Sequence, residues 1–181
     1  MAKHIVFDRD GTLIEHKRYL CIPKEVKLLP YVAEGLAKLK EQGHKLYLHT
    51  NQSGVARGYF DYEDAVTCNN EMLRLINLGD DLFERICIAP DYPPLKNTYR
   101  KPSPKFGLEL MWQFNIAPKK LFYVGDSSSD IETAINLKCK GVGLNTGEFD
   151  LEEKCKDWAK LNIPIVKNFE NLIDYLDTVK Q

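Results

Sequence analysis

Five short apolar runs, separated by stretches of helical periodicity, constrain the fold of this chain more than any other feature. Lys3 to Phe7 ends at Asp8, Lys45 to His49 ends at Thr50, and Leu121 to Val124 ends in Gly125-Asp126; Arg85 to Ala89 and Gly141 to Leu144 read as further strands. Between them the periodicity changes. A helix is predicted from about Tyr31, with Val32, Leu36 and Leu39 on one face and Gly43 as its stop. Another runs from Asp61 to Leu78, capped by Asp61 and ended by Gly79, with Ala65, Cys68, Met72 and Leu75 sharing a face. Ser103-Pro104 opens a third, with Phe106, Leu110 and Phe114 at helical spacing. Ser129 and Glu132 form the predicted capping box of a fourth, and Asn168 to Val179 is a closing helix. Strands alternating with amphipathic helices imply an α/β fold: a Rossmann-like parallel sheet with helices on both faces.

In such open sheets ligands bind outside the carboxyl ends of the strands. The unusual polar residues of this chain sit there, after strands one, two and four, with Arg100-Lys101 in the loop after strand three. These distant positions are therefore expected to meet in one crevice. No repeat, low-complexity tract or long linker divides residues 1–181, so a single domain is expected.

Charge and cysteine content remove several functional classes. Lys plus Arg number 25 against 26 Asp plus Glu, a formal charge of -1, so no global field draws in nucleic acid or an anionic membrane. No apolar run approaches the ~18 residues of a bilayer span, and a cytoplasmic protein is expected. The cysteines at positions 21, 68, 87, 139 and 155 have no paired short spacing of the kind that marks zinc sites or disulfide frameworks.

The strand-end residues suit phosphoryl transfer. Asp8-Arg9-Asp10-Gly11-Thr12 places two carboxylates two residues apart on a turn. One carboxylate can attack phosphorus to give an aspartyl phosphate, dividing a hard hydrolysis into two displacements. Asp8 fits that role, and Asp10 fits protonation of the leaving oxygen and later deprotonation of water. Two carboxylates beside a phosphate dianion require a cation. Magnesium, which takes oxygen ligands and is commonly held by one or two carboxylates plus phosphate, fits between Asp8 and Asp126. Asp130, four residues on, is expected to favour the helix N-terminus or to hydrogen-bond a neighbour, with direct ligation of the metal as the alternative. Thr50-Asn51-Gln52-Ser53-Gly54 offers a hydroxyl and backbone N–H groups to phosphate oxygens. Lys101 adds a point charge for the same oxygens, and the Arg100 fork suits a second anionic group.

In this order the four motifs resemble the haloacid dehalogenase superfamily of phosphotransferases over essentially the whole chain. The resemblance implies Asp8 as nucleophile, Asp10 as acid/base with its main-chain carbonyl on magnesium, Thr50 and Lys101 on phosphate, and Asp126 on metal. Phe7 to Thr12, Thr50 to Gly58 and Arg100-Lys101-Pro102 together are similar to the D-glycero-D-manno-heptose 1,7-bisphosphate 7-phosphatase group, related to histidinol-phosphate phosphatases. That narrower likeness implies a substrate loop near His16 to Tyr19, substrate recognition by Arg100, and a small phosphorylated sugar as substrate. Residues 13–49 leave no room for a cap domain, so a capless core is expected. Those relatives usually carry a zinc loop before the Arg-Lys-Pro. The corresponding stretch here, Ala89 to Tyr99, has neither Cys nor His, so that zinc site cannot be built. Two alternatives stay open beside the heptose and histidinol readings: a polynucleotide 3'-phosphatase, and a catalytically silent binding module with this fold.

Overall fold

The computed structural model describes residues 2–92, 98–154 and 163–179. Six parallel strands form one sheet in the order β3-β2-β1-β4-β5-β6: β1 (His4–Phe7), β2 (Lys45–Asn51), β3 (Arg85–Ala89), β4 (Leu121–Gly125), β5 (Lys140–Leu144) and β6 (Ile165–Val166). The helices are α1 (Val32–Glu41), α2 (Tyr62–Ile76), α3 (Lys105–Gln113), α4 (Ser128–Leu137), α5 (Leu151–Lys154) and α6 (Phe169–Thr178). The expected α/β fold with a parallel sheet is the observed one.

Alternation along the strands divides the core into two layers. Ile5 and Phe7 of β1, with Leu46, Leu48, Phe122 and Val124, face Leu36, Met72, Phe169 and Leu172 of α1, α2 and α6. Val6, Tyr47 and Tyr123 point the other way, against Phe106 and Leu110 of α3 and Ala134 and Leu137 of α4. Each such side chain, fully buried, contributes ~1.5–3 kcal/mol through removal of apolar surface from water. With both faces covered, only the strand ends remain for polar chemistry.

The chain runs outward from β1 through β2 to β3, then returns to place β4 on the other side of β1. The carboxyl ends of β1 and β4 therefore flank the switch point where a crevice opens. Residues 13–49 contain a 3-10 turn (Pro23–Glu25), α1 and β2, and the segment after β1 is tied down by bridges from Ile14 to Asp10 and Leu28.

Several expected boundaries move. Strand β2 continues two residues beyond His49, so Thr50 and Asn51 are its last residues rather than a turn. Helix α2 stops at Ile76 because Asn77 adopts the left-handed conformation (φ 56°), ahead of Gly79. The capping box of α4 is Ser127 with Asp130, not Ser129 with Glu132: the Ser127 backbone is extended, its hydroxyl accepts from Ser129 N–H, and Asp130 reaches back to Ser127 N–H. The two-residue β6 and the short α5 carry too little periodicity to be read from sequence. Cys155 and Asn97 lie outside the described residues.

Candidate active site

Asp8 follows β1 directly, its N–H donating to the Val124 carbonyl of β4. Asp126 follows β4. One oxygen from each of Asp8, Asp126 and Asp130 lies within 4.8 Å of the others. Gly11, at φ +80°, turns the chain beneath them; a Cβ there would collide with the Asp126 carboxylate, so glycine serves both the left-handed backbone and the close approach. Thr12 donates its hydroxyl to Asp126 Oδ1 at 3.3 Å.

Lys101 enters from the loop after β3 and is the cation of this cluster. Its Nζ lies 2.8 Å from Asp8 and 2.6 Å from Asp130. Burial works against its charge, but Asp130 and Asp8 more than offset that and hold the ammonium above its ordinary value. Burial, then Asp8 and Asp130, push the Asp126 carboxyl well up. Asp130 is also pushed up by burial, with Lys101 opposing.

Asp10 is held differently. Arg9, fully buried, donates through Nε to Asp10 Oδ2 at 3.1 Å and through Nη2 to Oδ1 at 3.2 Å, while its Nη1 donates to Asn69 Oδ1 at 2.8 Å. Gln52 Nε2 adds a bond to Asp10 Oδ2 at 2.8 Å, and the Thr50 hydroxyl a long one at 3.4 Å. Among the described residues Arg9 thus pairs with Asp10, and Lys101 with Asp8 and Asp130, while Asp126 has no ion-pair partner. Both Asp130 oxygens are engaged, one by Lys101 and one by Ser127 N–H. The donors open to a divalent ion are therefore Asp8 and Asp126, an all-oxygen set that suits a hard cation and is short of positive charge.

Asn51 lines the cleft, and its amide holds the Lys101 backbone at both ends: Oδ1 accepts from Lys101 N–H at 2.9 Å and Nδ2 donates to Lys101 O at 3.2 Å. Arg100 is half-buried, and its Nη1 is a buried donor without a partner among the described residues. Burial, then the nearby Arg57 charge, lowers its pKa from the usual value. His16, Lys17, Arg18 and Tyr19 line the same cleft as Asp10 and Asn51. Lys17 forms an exposed ion pair with Glu25 at 2.6 Å; Arg18 lies over the Tyr19 ring, and His16 faces Glu148 at 3.6 Å.

Sequence reasoning brought Asp8, Asp10, Thr50, Asn51, Arg100, Lys101 and Asp126 to one crevice; the structure joins six of them at the strand ends and places the Arg100 charge near Tyr19 and Arg57. It missed Arg9 and Gln52 as partners of Asp10. The signal available for Arg9 was its position between two acids in a turn that follows a buried strand, where an unpaired guanidinium has no place.

Comparison with known proteins places this geometry. A family model described as polynucleotide kinase 3 phosphatase matches residues 3–170. The D-glycero-beta-D-manno-heptose-1,7-bisphosphate 7-phosphatase of Pasteurella multocida is 32% identical over 96% of this chain and 97% of its own. The chain belongs to the haloacid dehalogenase superfamily of phosphatases. Within it, this phosphatase falls in the group of heptose bisphosphate phosphatases and HisB-type phosphatases. The histidine biosynthesis bifunctional protein HisB of Buchnera aphidicola is 32% identical over 93% of this chain and 46% of that longer protein. Among solved structures, the D,D-heptose 1,7-bisphosphate phosphatase of B. bronchiseptica, complexed with magnesium and phosphate, superposes on the phosphatase with a TM-score of 0.82. Identity is 25%, with 96% of this chain and 97% of the other covered. Among the described residues no helix is long and apolar enough to cross a membrane.

Proposed function

We propose that this phosphatase hydrolyses a small phosphorylated sugar bearing a second anionic group, with D-glycero-D-manno-heptose 1,7-bisphosphate as the leading candidate. The observation that carries this reading is the pairing of two features at one set of strand ends. Asp8 and Asp126 stand beside a buried Lys101, and the half-buried Arg100 next to that lysine has a guanidinium nitrogen without an acceptor among the described residues.

In this reading Asp8 attacks phosphorus in line with the departing oxygen, and Asp10 protonates that oxygen. Asp10, then a carboxylate, takes a proton from the water that opens the aspartyl phosphate. Arg9 and Gln52 hold Asp10 in place between the two steps. Lys101 and the Thr50 hydroxyl face the transferred phosphoryl oxygens, where charge spreads in the transition state. Magnesium would be held by Asp8, Asp126 and the Asp10 main-chain carbonyl, and when bound it supplies the charge that lets an anionic carboxylate approach an anionic phosphoryl group. Arg100 engages the second anion, a task for a planar fork that a lysine cannot copy.

The test compares kcat/KM for the heptose bisphosphate, the matching monophosphate, histidinol phosphate and a 3'-phosphorylated oligonucleotide, in wild type, Arg100→Ala and Arg100→Lys, all with magnesium. Expected is a preference for the bisphosphate that both Arg100 variants lose. Faster turnover of the oligonucleotide than of any sugar would remove the sugar reading and leave the chemistry at Asp8 standing.

A further inference from the structure

His49 is fully buried, and no step of the reaction above uses it. Its Nε2 lies 2.8 Å from the Tyr99 carbonyl oxygen and its Nδ1 2.7 Å from the Tyr123 hydroxyl. A carbonyl oxygen only accepts, so Nε2 carries the proton, and Nδ1 is left to accept from the Tyr123 O–H. The two partners select one neutral tautomer. The Phe106 ring packs edge-on against the imidazole at 4.9 Å between centroids, closing the site to water.

The carbonyl that His49 holds belongs to the segment that delivers Lys101. Asn51 lies two residues beyond His49 on β2, hence on the same side of the strand, and clasps the backbone of Lys101 itself. Residues 99 and 101 are thus tied to alternate positions of β2, with Arg100 between the two ties. From the second tie the Lys101 side chain reaches Asp8 and Asp130. Tyr99 is anchored at its far end too, its hydroxyl donating to Glu109 Oε1 at 2.7 Å. Loss of the His49 tie would take this donor from the Tyr99 carbonyl and let the segment pivot about Asn51.

We infer that His49 is a positioning residue for phosphate capture: its Nε2–H, by holding the Tyr99 carbonyl, fixes where Lys101 and Arg100 stand at the strand ends. The inference rests on the reading of Lys101 as the cation that meets the transferred phosphate. It gives His49 no contact with substrate and no proton to transfer.

Glutamine can present an amide N–H near the place of Nε2, whereas asparagine presents one only near Nδ1. With magnesium present, inhibition by inorganic phosphate is therefore measured in wild type, His49→Gln and His49→Asn, alongside their melting temperatures. Both variants lose the ring and should melt lower than wild type, His49→Asn the more so because it also withdraws the donor from the Tyr99 carbonyl. His49→Asn should weaken phosphate inhibition about tenfold, on the scale of one hydrogen bond, and His49→Gln should stay within about threefold of wild type. Equal phosphate affinities in the two variants would overturn the inference. Should either variant fail to fold, imidazole nitrogen NMR of the wild type decides: an Nε2–H tautomer supports the tie, and an Nδ1–H tautomer excludes it. Lys101→Met separates the two layers of the reading. If it keeps wild-type phosphate affinity, the role of Lys101 falls and the inference with it; if it loses phosphate while the two His49 variants match each other, only the positioning role falls.

Discussion

Lys101 Nζ stands 2.6 Å from Asp130 Oδ1, and both side chains are closed off from solvent. Asp8 lies 2.8 Å from the same ammonium. The two carboxylates are not equivalent partners in the proposed reaction. Asp8 loses its charge when it becomes an aspartyl phosphate, whereas Asp130 keeps its own and holds Lys101 through both steps. Asp130→Asn preserves shape and an acceptor but leaves a buried ammonium short of charge once Asp8 reacts. Removing one partner of a buried pair costs about 3–5 kcal/mol, and Asp8 should absorb part of that in the resting protein. The expected outcome is a lower denaturation midpoint in urea together with a fall in kcat. Wild-type values of both would show that Lys101 does not depend on Asp130.

Asp8→Asn should abolish turnover with a small net change in stability, because Lys101 loses one of its two carboxylates and keeps Asp130. The substitution removes the nucleophile, and it also relieves the repulsion that helps push the neighbouring Asp126 up. Asp10→Asn should slow turnover roughly 100-fold to 10,000-fold through loss of the proton shuttle. Unlike the first variant, it should also destabilise, because the fully buried Arg9 then faces no carboxylate. Thermal melts of the two proteins, run beside single-turnover assays, check the order. A melting temperature for Asp10→Asn above that of Asp8→Asn would contradict it.

Gly147 approaches the active site from the loop after β5, and a Cβ there would collide with Asp126 Oδ2. Gly147→Ala should therefore displace a proposed metal-ligating carboxylate without touching the core. We expect the magnesium concentration for half-maximal activity to rise at least tenfold, the scale on which disturbed support of a metal ligand is felt, with little change in melting temperature. An unchanged magnesium requirement would place Asp126 outside metal binding.

How much of this could be read in the sequence follows from distance along the chain. Asp8, Thr50 and Asp126 were legible because each directly follows or ends an apolar run, and in a parallel sheet those ends converge whatever the loops do. The partners that define their chemistry were not. Asp130 meets Lys101 across 29 positions, Gln52 meets Asp10 across 42, and Arg9 meets Asn69 across 60; no local pattern encodes such contacts. Asp130 shows the limit well. Its place at a helix start was readable and is occupied as expected, while its second oxygen, the one that fixes Lys101, was not.

The buried imidazole of His49 also makes stability depend on pH in a definite direction. Burial first, and the Lys101 charge second, take its pKa from 6.5 down to about 3, against the Tyr99 hydrogen bond that raises it. The groups around it do not titrate in that interval. Tyr123 and Tyr99 are held above their ordinary values, Cys87 opposite it on β3 is pushed up to about 12, and Lys101 stays charged. Between pH 6.5 and about 3 the unfolded chain therefore binds a proton at position 49 that the folded chain refuses. The stability tied to the neutral imidazole is complete above pH 6.5 and is lost as pH falls, at up to about 1.4 kcal/mol per pH unit. Asp126 and Asp130, both raised, act in the opposite sense, so the wild-type curve alone mixes the contributions. The difference between wild type and His49→Gln cancels those carboxylates and leaves the histidine. Urea unfolding of the pair from pH 7 to pH 4.5 should show the wild-type advantage shrinking steadily with acidification. A difference that stays flat across that range would mean that His49 is protonated as easily in the folded protein as in the unfolded chain.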